Sequence, residues 1–389
     1  MTAATATETA FLERVVQVAD ELAAPNADEV DREGRFPKEA VDGLREARAL
    51  SAYVPTALGG EGVSMNALAR ACEELARRCS ATGMVFAMHQ IKLGSLVRHA
   101  ADEPFFADYL RRLCAEQRLI SSVTSEVGVG GDMRSSICAI EPAGDGMVRL
   151  TKQATTVSYG VHSDEILITA RRAPDAEASD QVLVLLERAT TELEQTTTWD
   201  SLGMRGTCSP GFVVRATVPA DHVVAVPFAT VAAASMVPWS HLLWSHVWLG
   251  IAGEAFERAR AYVRAAARRT PGSVPPMAKP LSELSIEVTR MRSTIADALQ
   301  EYEGLMASES EELETIGYAI RTNTLKISSS ELAPKICHAA LQICGMAGYK
   351  NDSPFSVGRQ YRDALSASLM IANDRIHANN ARLLLVHKG

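Results

Sequence analysis

Several features that would direct a reading of function are missing from this sequence. Its seven cysteines, Cys72, Cys79, Cys114, Cys138, Cys208, Cys337 and Cys344, form no CxxC pair, and no signal peptide stands before them. This excludes a zinc frame or a disulfide scaffold and reads as reduced thiols in a cytoplasmic enzyme without a bound metal. Long apolar runs are missing too. Each is interrupted by His, Ser or a charge well before the roughly 18 residues of a membrane span, so no membrane association is expected. Positive charge is in short supply: 39 Lys and Arg stand against 47 Asp and Glu, a net charge of −8. A nucleic-acid partner is therefore not expected, and the Arg264, Arg268, Arg269 cluster is the main local exception. No internal repeat is visible, and 389 residues are enough for two or three sub-domains around at least one large core.

What is present centres on Leu119 to Asp132, LISSVTSEVGVGGD. An apolar β-type run ends in Thr124, Ser125 and Glu126, followed by Gly128, Gly130 and Gly131. Glycines permit φ > 0, so such a loop can aim consecutive backbone N–H groups at one polar ligand. A dinucleotide-binding GxGxxG turn requires a helix immediately afterwards. Here two short β-like runs follow instead, Ser135–Ile140 and Met147–Thr151, parted by Gly144-Asp145-Gly146. The loop therefore belongs to a β-domain that holds a cofactor or substrate.

On either side the period is helical. Glu8 to about Gln117 carries helices opened near Phe36-Pro37 and at Ser64, the second with Leu68, Ala71, Cys72 and Leu75 on one face. A further apolar helix, Phe86 to Val97, contains His89, which packing accounts for more readily than catalysis. Ile166–Ile168, Val182–Leu186 and Phe212–Val214 are short β-branched runs between turn residues, as in a small antiparallel barrel or sandwich. From Met236 the chain is helical again, broken by the prolines of 271–280, with Leu281–Leu305, Leu313–Ile343 (a kink allowed at Pro334) and Arg375–Val386 as further helices. The expected class is α+β without βαβ repeats, divided at 1–118, 119–228 and 229–389.

Four motifs in this order resemble the acyl-CoA dehydrogenase family over nearly the whole chain. FPKEAVDGLREARALSAYVPTALGGEG resembles its entry helices and P-x-x-x-GG-x-G turn, and SEVGVGGD its TEPGAGSD loop. WDSLGMRGTCS resembles its W-x-x-LGMRGTxS segment, and QICGMAGY followed by Tyr361-Arg362-Asp363-Ala364 its QxxGGxGY turn and RDA. The resemblance implies an N-terminal helical domain, a middle β-barrel and a C-terminal four-helix bundle. It also implies FAD between barrel and bundle, in a homotetramer or dimer. Ser125 and Gly130 would lie on the loop at the flavin pyrimidine edge, Thr156 near flavin N5, and Arg268 at the diphosphate of a neighbouring subunit's FAD. Gln342 and Gly345 would close over its adenosine-diphosphate part.

The departures from the family pattern bear on chemistry. The family's catalytic Glu, eight residues after the Asp of RDA, corresponds to Ile371, next to Met370 in the expected substrate pocket. The alternative Glu position on the first bundle helix corresponds to Ser240, followed by His241. A base must reach the substrate proton with a suitable pKa. His241 and Asp374 are the substitutes on offer, although Asp374 also reads as part of the last helix's N-cap. Ala154 replaces a flavin-shielding Trp and Gly131 a substrate-contacting Ser, so the thioester can be carried by CoA or by a carrier protein. Three readings stay open. The first is desaturation of an acyl thioester with a non-standard base and an electron-transfer flavoprotein as acceptor. The second is a monooxygenase fed by a flavin reductase, with His89 near the flavin, and the third a non-redox flavoprotein.

Overall fold

The computed structural model describes residues 5–130 and 132–388. Among the described residues six α-helices come first: α1 (Ala6–Val18), α2 (Ala24–Glu33), α3 (Lys38–Glu46), α4 (Met65–Arg78), α5 (Ser80–His99) and α6 (Pro104–Glu116). Helix α4 starts where the sequence places it, with the Ser64 hydroxyl accepting the Ala67 N–H at 3.3 Å. Its stripe of Leu68, Ala71, Cys72 and Leu75 is fully buried. Helix α5 is buried on every side from Ser80 to Ala87 and from His89 to Leu96, as befits a helix at the centre of a core. Burying side chains such as Phe86, Ile91 and Leu93 stabilises the fold by about 1.5–3 kcal/mol each.

Among the described residues seven strands follow: β1 (Ile120–Val123), β2 (Glu141–Pro142), β3 (Met147–Ala154), β4 (Glu165–Arg171), β5 (Gln181–Glu187), β6 (Glu192–Gln195) and β7 (Phe212–Pro219). They form two sheets, ordered β1-β4-β5 and β2-β3-β7-β6. Val123, Ile168 and Val184 from one sheet join Leu150, Phe212 and Val214 from the other in a shared apolar core. The expected barrel is thus not closed. The strand β2 has two residues and β6 four, too short to carry a ladder around, and the isolated bridge of Ala139 to Arg171 ties only the segment ahead of β2 to β4. The arrangement is also not purely antiparallel, because β1 runs parallel to β4 with Ile120 opposite Glu165.

The chain then returns to helices: α7 (Phe228–Val231), α8 (Val237–Arg269), α9 (Ala278–Ala307), α10 (Ile316–Cys344), α11 (Met346–Tyr349), α12 (Gly358–Leu365) and α13 (Asn373–Val386). Helix α10 continues through Pro334. Helices α8 and α10 pack along their lengths, and α8 also crosses α4 closely. At Gly250 a Cβ would come within 2.4 Å of the Glu73 carbonyl oxygen.

Two of the sequence motifs interlock. The Met204 N–H donates to the Asp363 carboxylate at 2.6 Å, and a Cβ on Gly203 would stand 2.2 Å from the Arg362 carbonyl oxygen. Arg362 pairs with the Asp31 carboxylate of α2, whose backbone oxygen also accepts from Arg205 Nε at 2.8 Å. LGMRG and YRDA therefore clamp the sheet region, the bundle and the N-terminal helices to one another. Gly203→Ala must push two backbones apart and is expected to cost about 2 kcal/mol, read as a lowered midpoint in urea unfolding.

Candidate functional site

On the sheet side the glycine-rich loop after β1 meets the segment after β3. The Ser125 hydroxyl donates to the Thr156 carbonyl oxygen at 3.0 Å, and the Thr156 N–H donates back to Ser125 Oγ at 3.2 Å. Two of the sequence-predicted cofactor residues are thus side by side. The loop is shaped from beneath by Glu126, a residue that the motif pattern does not single out. Its buried carboxylate accepts from Cys138 N–H at 2.7 Å, Ser136 Oγ at 2.7 Å and Ile137 N–H at 3.0 Å, with Lys152 Nζ 3.5 Å away. Gly128 and Gly130 take φ of 93° and 61°, which a side chain would strain. A Cβ on Gly130 would meet no atom within 4 Å, so the loop opens onto free space. An exposed polar pair bordering open space suits a flat heterocycle with polar edges such as a flavin. Gly131 lies outside the described residues. Ala154 does not border this edge. The pleat of β3 turns it, with Leu150 and Lys152, into the core between the sheets, where it is 2% exposed.

On the bundle side, His241 of α8 is buried and its Nδ1 lies 3.2 Å from the Thr322 carbonyl oxygen of α10. A carbonyl only accepts, so Nδ1 carries the proton and Nε2 keeps its lone pair. Burial, reinforced by the Lys326 ammonium, pushes the imidazole pKa down to about 3. Ser240 is committed to its own helix, donating to the Met236 carbonyl oxygen at 2.7 Å.

One turn along α10 from Thr322, Lys326 is fully buried and donates to the Ile371 carbonyl oxygen at 2.7 Å and to Asn373 Oδ1 at 2.6 Å. Ile371 itself is 37% exposed, with φ of 51°, and Met370 beside it packs partly into the main core. Asp374 is exposed in the first turn of α13. It does not cap the helix, which has Ala372 at the N-cap, because the neighbouring Asn373 side chain is drawn inwards by Lys326 and Ser330. The segment just after the glycine loop reaches the same helix: Arg134 donates to Asn379 Oδ1 at 2.8 Å. Asn379 is six residues beyond Asn373, so this contact lies about 9 Å along α13 from the 371–373 bend.

Other expected residues lie elsewhere. His89 ties α5 to two backbones, with Nδ1 accepting the Ile120 N–H at 3.0 Å and Nε2 donating to the Leu50 carbonyl oxygen at 2.8 Å. Both nitrogens are committed in the neutral ring, whose pKa burial lowers to about 4. Arg268 is exposed near the end of α8, 27 residues or about 40 Å along the helix from His241. Gln342 lines an apolar groove of about 670 Å³ between α9 and α10, with Leu284, Leu332 and Ile336. Gly345, φ 56°, ends α10 about 28 Å beyond Lys326 along the helix. One chain therefore sets Ser125 beside Thr156 and Lys326 between His241 and the 371–373 bend, whereas Arg268, Gln342 and Gly345 lie far along α8 and α10 from that lysine and histidine.

Lys326, which grips the 371–373 bend, was not singled out from sequence. The signal was a lysine among Leu325, Ile327 and three serines, on a helix expected to be buried.

Known proteins resemble this chain along its length. Models of the acyl-CoA dehydrogenase N-terminal domain and C-terminal domain match residues 5–117 and 232–381. Cyclohex-1-ene-1-carbonyl-CoA dehydrogenase of Geobacter metallireducens is 25% identical over 94% of each chain. The human mitochondrial short-chain specific acyl-CoA dehydrogenase is 26% identical over 87% of this chain and 80% of its own. Among solved structures, FMN-bound TdsC from Paenibacillus sp. A11-2 superposes with a TM-score of 0.85 at 20% identity, covering 97% of this chain and 98% of its own. Butyryl-CoA dehydrogenase from Megasphaera elsdenii does so at 0.82 and 19% identity, covering 99% and 100%. The chain belongs to the acyl-CoA dehydrogenase family of flavin-dependent oxidoreductases, whose cofactor is FAD.

Proposed function

We propose that this enzyme removes hydrogen from adjacent carbons of an acyl thioester, carried by CoA or by a carrier protein, with His241 in place of the usual carboxylate base. The observation that carries this reading is the pairing of Ser125 with Thr156 at the open edge of the sheets, in a chain aligned almost end to end with acyl-CoA dehydrogenases. FAD, when bound, supplies the acceptor for the hydride. Ser125 and Thr156 orient its polar edge, with Gly130 leaving room. Ile371 and Met370 provide the apolar wall against which an acyl chain packs. Arg268, Gln342 and Gly345 serve a second copy's FAD in a dimer or tetramer. An electron-transfer flavoprotein removes the electrons.

His241 keeps Nε2 unprotonated throughout the neutral range, because its pKa lies far below 7. The same low pKa makes it a weak base, so turnover with simple acyl-CoA substrates is slow. His241→Ala is expected to retain FAD and lose turnover roughly tenfold, measured as the rate of flavin bleaching under anaerobic conditions.

The deciding experiment is anaerobic titration of the FAD-loaded enzyme with acyl-CoA and carrier-bound thioesters while watching the absorbance of oxidised flavin. Bleaching supports the desaturase. The lack of a side-chain acid at residue 371 favours one other reading, a monooxygenase supplied with reduced flavin. No bleaching, with substrate-dependent oxygen uptake once a flavin reductase is added, supports that reading instead.

A further inference from the structure

A lysine buried without a carboxylate is costly, and this one is joined to a second cost. Lys326 Nζ has no Asp or Glu oxygen within 4.0 Å among the described residues, and its hydrogen bonds end on a backbone carbonyl and an amide oxygen. The Trp248 ring, 5.8 Å away, is its remaining electron-rich neighbour. The carbonyl it grips belongs to Ile371, a β-branched residue in the left-handed region at φ 51°. Such a conformation persists only where the surroundings over-determine it. Here Lys326 supplies that constraint by holding residues 371 and 373 at once, while Ser330 Oγ donates to Asn373 Oδ1 at 3.2 Å.

We propose that Lys326 is a positioning residue of the active site, whose Nζ pins the Ile371–Asn373 bend in a strained conformation and so fixes the wall that Ile371 presents to the substrate. Residue 371 counts as substrate wall only on the desaturase reading above; the pinning itself does not depend on it. When the bend lifts, the amine meets water.

The linkage has a defined sign. Burial lowers the amine's pKa to about 8, against 10.5 for a solvated lysine. Closing the bend therefore expels a proton between those values, and the closed state gains stability as pH rises from about 8 towards 10.5. The groups around Lys326 leave this window clear. His241 on α8 is neutral there, Glu331 on α10 opposes the shift, and Asp374, Arg375 and His377 on α13 are exposed.

The test is acetylation of the full-length, FAD-loaded protein with acetic anhydride, read at each lysine by peptide mass spectrometry across pH. Lys279, 86% exposed, is the internal reference. Lys326 is expected to react far more slowly than Lys279 and to titrate near pH 8. Asn373→Ala removes one pin and should speed labelling about tenfold. Ile371→Asn, which tolerates the left-handed region, should slow it by a similar factor. Labelling at the rate of Lys279, or rates unmoved by both substitutions, would overturn the proposal. In the thioester titration, Lys326→Met should keep FAD loading while weakening substrate binding. If no thioester bleaches the wild-type flavin yet the labelling results hold, the desaturase reading fails and the pinned bend stands.

Discussion

Ile371→Glu is expected to raise the rate at which a simple acyl-CoA bleaches the bound flavin by about 10³-fold, the range a well-placed general base contributes. Ile371 is 37% exposed, on the bend that leads into α13, the helix that Arg134 contacts at Asn379. Glutamate is not β-branched, so φ of 51° costs it less than it costs isoleucine. Lys326, hydrogen-bonded to the same residue's carbonyl oxygen, keeps a positive charge close by and favours the ionised carboxylate. The control is the oxidised-flavin spectrum before substrate is added. A variant that holds flavin normally and bleaches no faster than wild type would count against desaturation, or against residue 371 as the place where the acid is missing.

Asp363→Ala carries the largest expected loss of stability, about 4 kcal/mol, measured by urea unfolding. The carboxylate is 4% exposed and accepts the Met204 N–H, so its removal orphans a buried donor at the clamp between sheet and bundle. It also strips charge from beside Arg359, which lies close enough to oppose the burial that raises the Asp363 pKa. Asp363→Asn keeps an acceptor oxygen and should lose much less, separating the hydrogen bond from the charge. The pH dependence has a definite sign. With a folded pKa above the usual 3.8, ionisation of Asp363 works against folding, so its own contribution falls as pH rises through that interval. Equal losses in the Ala and Asn variants would assign the whole effect to charge.

Much of the fold was legible because local rules and tertiary packing agree. Ser64 caps α4, the Leu68–Leu75 stripe is buried, and α10 ends at the Gly345 turn. The motif order identified the family. The sheets were harder. Alternation tells which residues face inward, but closure depends on how far the edge strands run, and β2 proved to be two residues long. The same alternation places Ala154 in the core, which motif matching alone could not register. Two separate motifs drew attention to Ser125 and Thr156, which the fold sets side by side, yet Lys326 obeyed no motif. It contacts a backbone carbonyl 45 residues away, and the apolar and serine neighbours in its sequence hint only at burial, not at that partner. Asp374 misled for a related reason: the capping rule is local, whereas Asn373 answers to α10.

The clamp around Asp31 sets a timetable for the newborn chain. Arg362, its ion-pair partner, is 331 residues further on, so synthesis has to run for a time on the order of tens of seconds before the pair can form. Until then Arg205, made much earlier, can already reach the Asp31 carbonyl oxygen, while the Asp31 carboxylate stays uncovered and Asp363 is not yet made. A ribosome that stops short of residue 362 therefore releases a chain whose sheet region meets α2 through Arg205 but lacks both the Arg362 pair and the Met204–Asp363 hydrogen bond that join it to the bundle.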